Sequence, residues 1–245
     1  MLCLYRVKEC LNKMLLPHYK AKQVSVNRKR YFEIEGNCFP GVTTILSATK
    51  PWEEKKRLFE WRDRIGAAEA NRITTQASRS GTKIHKVIKS YLRGDEWALP
   101  EGTEAFWDSI LPILNRVEDT LLVEGAVWHP LKFAGYPDAL VVYDGQLILC
   151  DWKTARRPKQ ADWIGDYFMQ VAAYSWAVNW VYREQGVRVE KAMVAIALEH
   201  AEAQTFTLNP DELSHHWSAF QKRVRQFYVL RQNLGQNLGQ NLGPN

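Results

Sequence analysis

Pro137-Asp138-Ala139-Leu140-Val141-Val142-Tyr143-Asp144-Gly145-Gln146-Leu147-Ile148-Leu149-Cys150-Asp151-Trp152-Lys153 is the stretch that decides how this chain folds. Asp144-Gly145 at its middle is a strong two-residue hairpin signal, because a type I′ turn needs positive φ at both central residues and Asp-Gly tolerates that. Both flanks are rich in Val, Leu and Ile, which suit a pleated strand. Closing the turn pairs Tyr143 with Gln146, Val142 with Leu147 and Leu140 with Leu149. Carried on without a bulge, the register sets Asp138 opposite Asp151, with Cβ atoms roughly 4.5–5.5 Å apart on one face. Two carboxylates that close repel each other, so either one is protonated or a cation lies between them. A hard divalent cation such as Mg²⁺, with oxygen ligands at about 2.0–2.1 Å, would use such a pair. Lys153 is two residues beyond Asp151 and emerges on the same face. The strand end therefore offers carboxylate oxygens and an ammonium, the parts needed to hold a phosphodiester and stabilise its charge during hydrolysis. The alternative is a solvent-facing Asp pair with a surface lysine. The Leu147-Ile148-Leu149-Cys150 run opposes it, because that run reads as a buried central strand.

Working outward, strands are expected over 121–129 and 132–143 before the turn and over 146–153 after it. A long helix follows over about 163–184, then strands at 192–199 and 204–208 and a closing helix over about 210–231. Upstream, a charged helix is expected over 51–73, with Trp52, Leu58, Phe59, Trp61, Ile65 and Ala68 on its apolar side. A second covers 79–92, and a third 103–119 with Thr103 as cap and Pro112 as a kink. Residues 23–51 read as β-rich pieces, including 31–35, a Gly36-Asn37 turn and 39–46. This order predicts an α/β fold, a mixed central β-sheet flanked by helices with a helical N-terminal addition. The expected organisation is an amphipathic lead segment at 1–22, one domain at 23–231, and a disordered Asn-Leu-Gly-Gln repeat at 232–245. The helices at 51–73 and 79–92 are candidates for an arch over the site.

The 245 residues suffice for a sizeable core, with 46% apolar and 24% charged residues. Lys and Arg outnumber Asp and Glu by 33 to 27, a surplus that favours a polyanionic partner without identifying one. Cys3, Cys10, Cys38 and Cys150 are scattered with no CxxC, which argues for a reducing compartment and against a disulfide framework. No apolar run approaches the ~18 residues of a membrane-spanning helix, and no signal-peptide core is evident, so no membrane association is expected. Cytoplasmic location is the expectation. Residues 1–30 carry eight Lys/Arg against one acid, which keeps mitochondrial import as a minor alternative.

Pro137-Asp138, twelve intervening residues and Asp151-Trp152-Lys153 resemble the core motif of the PD-(D/E)XK nuclease superfamily. Gly81-Thr82-Lys83-Ile84-His85 resembles the G-T-x-x-H helix motif of its RecB-like branch, and Gln170-Val171-Ala172-Ala173-Tyr174 its Q-x-x-x-Y motif. Glu124 falls on the preceding strand, where that branch has an acidic residue. Pro40-Gly41-Val42-Thr43-Thr44-Ile45-Leu46 is similar to a segment of the mitochondrial-type genome-maintenance exonucleases and their bacterial and phage relatives. The resemblance covers about residues 30–200. It implies a restriction-endonuclease-like core and a Mg²⁺- or Mn²⁺-dependent exonuclease acting on DNA, single-stranded and with free ends.

The site residues follow residue by residue. His85, Asp138 and Asp151 are expected metal ligands, imidazole suiting Mn²⁺ well, with the Trp152 carbonyl implied by the resemblance alone. Lys153 would activate or orient the attacking water and steady the developing charge. Glu124 would bind metal, directly or through water, or orient Lys153. Gln170 and Tyr174, four apart on one helix face, would position Lys153 or the DNA backbone. Arg156, Arg157 and Lys159 follow the catalytic strand as a basic loop for phosphates. Arg79 and Lys83 flank the expected helix start at Gly81, which favours anions. The rivals are an endonuclease of the same superfamily and a catalytically silent DNA-binding or assembly protein on the same fold. A cluster-bearing RecB-like nuclease is disfavoured, since no cysteine follows Cys150 and no iron–sulfur cluster is expected. Nothing points to a small-molecule cofactor.

Overall fold

The computed structural model describes residues 16–27 and 29–240, and from 233 onward the backbone alone. The first part of the expected lead segment, residues 1–15, lies outside the described residues. Its last part is docked, with the Tyr182 hydroxyl donating to the Pro17 carbonyl at 2.8 Å.

The hairpin forms as the sequence dictates. Strand β7 (Ala139–Tyr143) pairs with β8 (Gln146–Ala155) in the expected register, from Tyr143 opposite Gln146 to Ala139 opposite Cys150. Asp144 and Gly145 both adopt positive φ, 49° and 72°, as a type I′ turn requires. Around this pair lies a five-stranded mixed sheet in the order β10 (Gln204–Leu208), β9 (Lys191–Leu198), β8, β7, β4 (Val117–Val123). Only β8 and β9 run parallel. That pair is joined by helix α5 (Gly165–Val181), the crossover a parallel connection needs.

Alternation along the strands divides the core in two. Leu140, Leu149, Val194 and Ile196 face α5 and the closing helix α6 (Pro210–Gln240). Ala139, Ile148, Cys150, Trp152 and Met193 face α3 (Ala67–Arg93) and α4 (Glu104–Leu114). The fold is therefore α/β with a mixed central sheet between helical layers. A small antiparallel sheet of β1 (Lys22–Val26), β2 (Lys29–Ile34) and β3 (Asn37–Pro40) comes first in the chain. The short pair β5 (Val127–His129) and β6 (Phe133–Gly135) lies beside it, joined by a bridge between Gly41 and Ala134.

Several elements differ from expectation. Residues 42–48 form helix α1 (Val42–Ala48), not a strand. Their β-branched side chains are overruled by packing: Val42, Ile45 and Leu46, at i, i+3 and i+4, are all buried. The break between the first two long helices falls at Gly66 (φ 83°), leaving α2 (Trp52–Ile65) short and α3 long. Gly81 is thus in the middle of a helix and provides no N-terminus for anions. The third helix ends at Leu114, because residues 117–119 are recruited by β7 into β4. The two long strands before the hairpin are each interrupted, at 124–126 and at 136–138. The closing helix continues past residue 231 to Gln240, since no proline interrupts it before Pro244.

Candidate active site

Strand β7 leaves the ladder just before Ala139, so β8 continues towards its C-terminal end without that neighbour. Asp138 fills the vacated position with its side chain. Its Oδ2 accepts the Trp152 N–H at 2.7 Å, taking over from the missing ladder carbonyl. The backbone carbonyl of Asp138 accepts the Glu124 N–H at 3.2 Å, which ties the two strand breaks together. Asp151, only 1% exposed, points to the α5 face, where its Oδ1 accepts Gln170 Nε2 at 2.9 Å. Its Oδ2 meets the Lys153 ammonium but receives no well-directed hydrogen bond. Lys153 also lies over the Tyr167 ring, 5.1 Å from its centroid. His85 reaches in from α3, with Nδ1 3.6 Å from Asp138 Oδ2.

The charges respond to this crowding. Burial pushes the Asp151 carboxyl up to about 6; Lys153 opposes that shift and the nearby Asp138 charge reinforces it. Burial would also raise Asp138, but His85, Lys153 and the Trp152 N–H together hold it below the ordinary carboxylate range. For Lys153 and His85 burial disfavours the charged form, and the facing aspartates outweigh it and hold both above their usual values. Two acids and two bases thus share one low-dielectric corner with opposed tendencies.

Tyr174 supports the arrangement from beneath. Its ring is buried against Gly135, where an added Cβ would lie 2.8 Å from Cε1, and its hydroxyl interacts with Gln170. Gly81 has an analogous use. A Cβ there would sit 3.2 Å from Thr154 Oγ1, so its absence lets α3 lie close to β8 and carry His85 to the strand end. Glu124, held at φ 48°, is paired with Lys89 on α3. Trp152 turns its ring into the opposite core layer.

Asp138, Lys153, His85 and Glu124 open onto a cleft of about 920 Å³ whose other charged lining is basic: Lys20, Arg30, Lys86, Lys89 and Arg93. None of the five basic residues singled out from the sequence lines it. Lys83 Nζ donates to the Glu101 carbonyl at 3.0 Å, and Arg156 pairs with Glu199 at 2.9 Å. Arg79 and Arg157 are exposed outside the cleft, and the backbone N–H of Lys159 is bound to Gln204. Lys89 was open to discovery in the sequence, since it is four residues past His85 on one helix face. Lys20 and Arg30 were not, because only the docking of the small sheet brings them here.

On the other side of Tyr167, α2 faces the start of α5 across a groove of about 750 Å³. No residue of α2 is buried, and Trp52, Leu58 and Phe59 are all exposed. Among the described residues no helix is long and apolar enough to cross a membrane. No three His, Cys, Asp or Glu side chains among them already stand together as a metal-holding group. The donor chemistry nevertheless fits a hard divalent cation. A buried carboxylate oxygen on Asp151 lacks a well-directed hydrogen bond, a second carboxylate is beside it, and an imidazole is at hand.

No known protein-family profile matches the chain. It is 28% identical over 214 residues to mitochondrial genome maintenance exonuclease 1 of Mus musculus, covering 82% of this chain and 62% of that protein. The protein of the same name from Homo sapiens is 25% identical over 214 residues, covering 82% and 61%. The chain therefore spans about three fifths of the length of these relatives. The crystal structure of SSO0001 superposes with a TM-score of 0.41 at 15% identity, covering 94% of this chain and 87% of that one. So loose a likeness adds nothing to the reading of the site.

Proposed function

We propose that this chain is a divalent-metal-dependent deoxyribonuclease of the PD-(D/E)XK, RecB-like kind, which hydrolyses phosphodiester bonds from free ends of DNA and prefers single strands. The observation that carries this reading is the convergence of Asp138, Asp151, Lys153 and His85 at one strand end, at the mouth of a basic cleft. Similarity to proteins named as exonucleases supports it.

Asp138, Asp151 and His85 would hold Mg²⁺ or Mn²⁺, with Glu124 and the Trp152 carbonyl as further ligands, and such an ion supplies Lewis-acid chemistry at the phosphate and a more acidic water. Gln170 fixes the Asp151 carboxylate through Oδ1, and the Tyr174 hydroxyl would steady Gln170. Lys153 would donate to a phosphate oxygen and steady its developing charge. Arg79, Lys83, Arg156, Arg157 and Lys159 would serve DNA outside the cleft. The exposed α2 and the outer half of α3 would form the wall that excludes duplex. The names of the relatives favour the mitochondrial alternative over the cytoplasm.

The test is a time course on end-labelled single-stranded, duplex and circular DNA with Mn²⁺, Mg²⁺ or EDTA, beside Lys153→Ala. Expected is metal-dependent loss of linear single strands, sparing of circles, and about 10²-fold or more slowing in the variant. Cutting of circles would make the protein an endonuclease. A second reading, a silent DNA-binding protein, draws on one observation: Asp151 already has Gln170 and Lys153 as partners. Titration calorimetry with Mn²⁺ separates the two, since binding lost in Asp151→Asn contradicts the silent reading.

A further inference from the structure

The cations of the cleft fall into two groups. Lys89 is committed to Glu124, Arg93 donates to the Val123 carbonyl at 2.9 Å, and Lys153 faces Asp151. The side chains of Lys20, Arg30 and Lys86 line the same cleft and make no hydrogen bond or ion pair with any described residue. Their backbones are nonetheless fixed. Lys20 lies between Tyr19, whose carbonyl accepts Ala126 N–H at 2.9 Å, and Ala21, whose N–H and carbonyl both bond the Tyr136 hydroxyl at 2.8 and 3.0 Å. The Arg30 carbonyl accepts Gly41 N–H at 3.0 Å and the Thr44 hydroxyl at 2.8 Å. Lys86 is carried in mid-helix next to His85.

A cation that no described residue engages has no ion pair to give up on meeting an anion, and with its backbone anchored it pays only the rotamer freedom of its own side chain. The charges come from two walls of the cleft, the N-terminal sheet region and α3, so they suit a chain of anions better than a single one. Arg30 lines the cleft together with Asp138 and Lys153, and its charge reaches the Tyr174 hydroxyl. A guanidinium there presents the fork that matches the two non-bridging oxygens of a phosphate.

We propose that Arg30, Lys20 and Lys86 form the phosphate track of this cleft. Arg30 clamps the phosphate beside the one being hydrolysed, and the two lysines hold phosphates further along the same strand. The assignment deepens the nuclease reading and rests on it for the identity of the strand.

The experiment measures binding in EDTA, so that it is independent of metal and cutting. Fluorescence anisotropy follows a labelled single-stranded oligonucleotide over a series of salt concentrations. Arg30→Gln, Arg30→Lys and the pair Lys20→Gln/Lys86→Gln are compared with wild type and with Arg188→Gln, which is outside the cleft. Expected for Arg30→Gln is about a tenfold loss of affinity and a salt slope shallower by roughly 0.7, one single-strand phosphate contact. Arg30→Lys should keep the slope and recover only part of the affinity, a split that a merely structural role would not give. The lysine pair should lose about two contacts of slope. Unchanged affinity and slope in these variants, with wild-type DNA digestion intact, would overturn the track and leave the nuclease reading standing. The expected losses without digestion under any metal would uphold the track and overturn the nuclease reading. Failure of wild type to bind the oligonucleotide at low salt would overturn the track as well.

Discussion

Gly135→Ala tests whether the support beneath the acidic pair works as described. A Cβ at residue 135 would lie 2.8 Å from Tyr174 Cε1, 2.9 Å from its hydroxyl and 3.2 Å from Cζ. Those separations are well inside ordinary carbon contact, which lies at about 3.5–4.0 Å. The ring is only 5% exposed and cannot swing into solvent, so either it or β6 must move. Overpacking of this kind costs about 1–3 kcal/mol. Because Tyr174 braces Gln170 and Gln170 holds Asp151, activity should fall together with stability. The assay is urea unfolding of four proteins: wild type, Gly135→Ala, Tyr174→Ala and the double variant. Tyr174→Ala alone should cost about 3–5 kcal/mol through the cavity it leaves. In that background the added methyl has no ring to meet, so its penalty should vanish and the cycle should show coupling of about 1–3 kcal/mol. Equal cost of Gly135→Ala with and without Tyr174 would refute the clash and the bracing role drawn from it.

Other expectations are independent of that one. Arg223, 11% exposed, donates to Thr49 at 2.5 Å and the Leu46 carbonyl at 2.6 Å and faces Asp166, so Arg223→Met should cost about 2–3 kcal/mol in urea unfolding. A loss below about 0.5 kcal/mol would contradict that network. Burial pushes the His129 imidazole down to about 4, and its Nδ1 accepts Leu131 N–H. The neutral ring is the folded form, so its contribution is full above about pH 6.5 and is lost as pH falls towards 4. At pH 5 the loss should be on the order of 1 kcal/mol, discounted for partial exposure. It should be absent in His129→Phe, and a parallel pH profile in that variant would count against it. Asn209 caps α6, its Oδ1 accepting Asp211 and Glu212 N–H at 3.0 Å while Glu212 bonds back to Asn209 N–H at 2.9 Å. Asn209→Ala should lower stability by about 1 kcal/mol, read from the same unfolding curves.

The sequence by itself determined the hairpin, its register as far as Ala139 opposite Cys150, and the shared face of Asp151 and Lys153. Those follow from interactions a few residues long: an Asp-Gly turn that accepts positive φ, and a two-residue side-chain period that carries register along the strand. Asp138, expected opposite Asp151, has instead left the ladder and accepts the Trp152 N–H. Local pattern misled where distant packing overrules propensity. The β-branched residues 42–45 form a helix because the sheet and α6 offer that face a core. Helix α3 runs through Gly81 because close contact with Thr154 outweighs the weak helix preference of glycine. The basic lining of the cleft was decided by the tertiary structure alone. Lys20 and Arg30 are more than 100 residues from Asp138, and docking through Tyr136, the Gly41–Ala134 bridge and the Tyr19 carbonyl brings them to it. The basic loop after β8 is adjacent in sequence but falls outside the cleft, since Arg156 and Lys159 are tied to Glu199 and Gln204. Proximity in the chain fixes which face a residue takes, whereas proximity in space depends on which layers pack together.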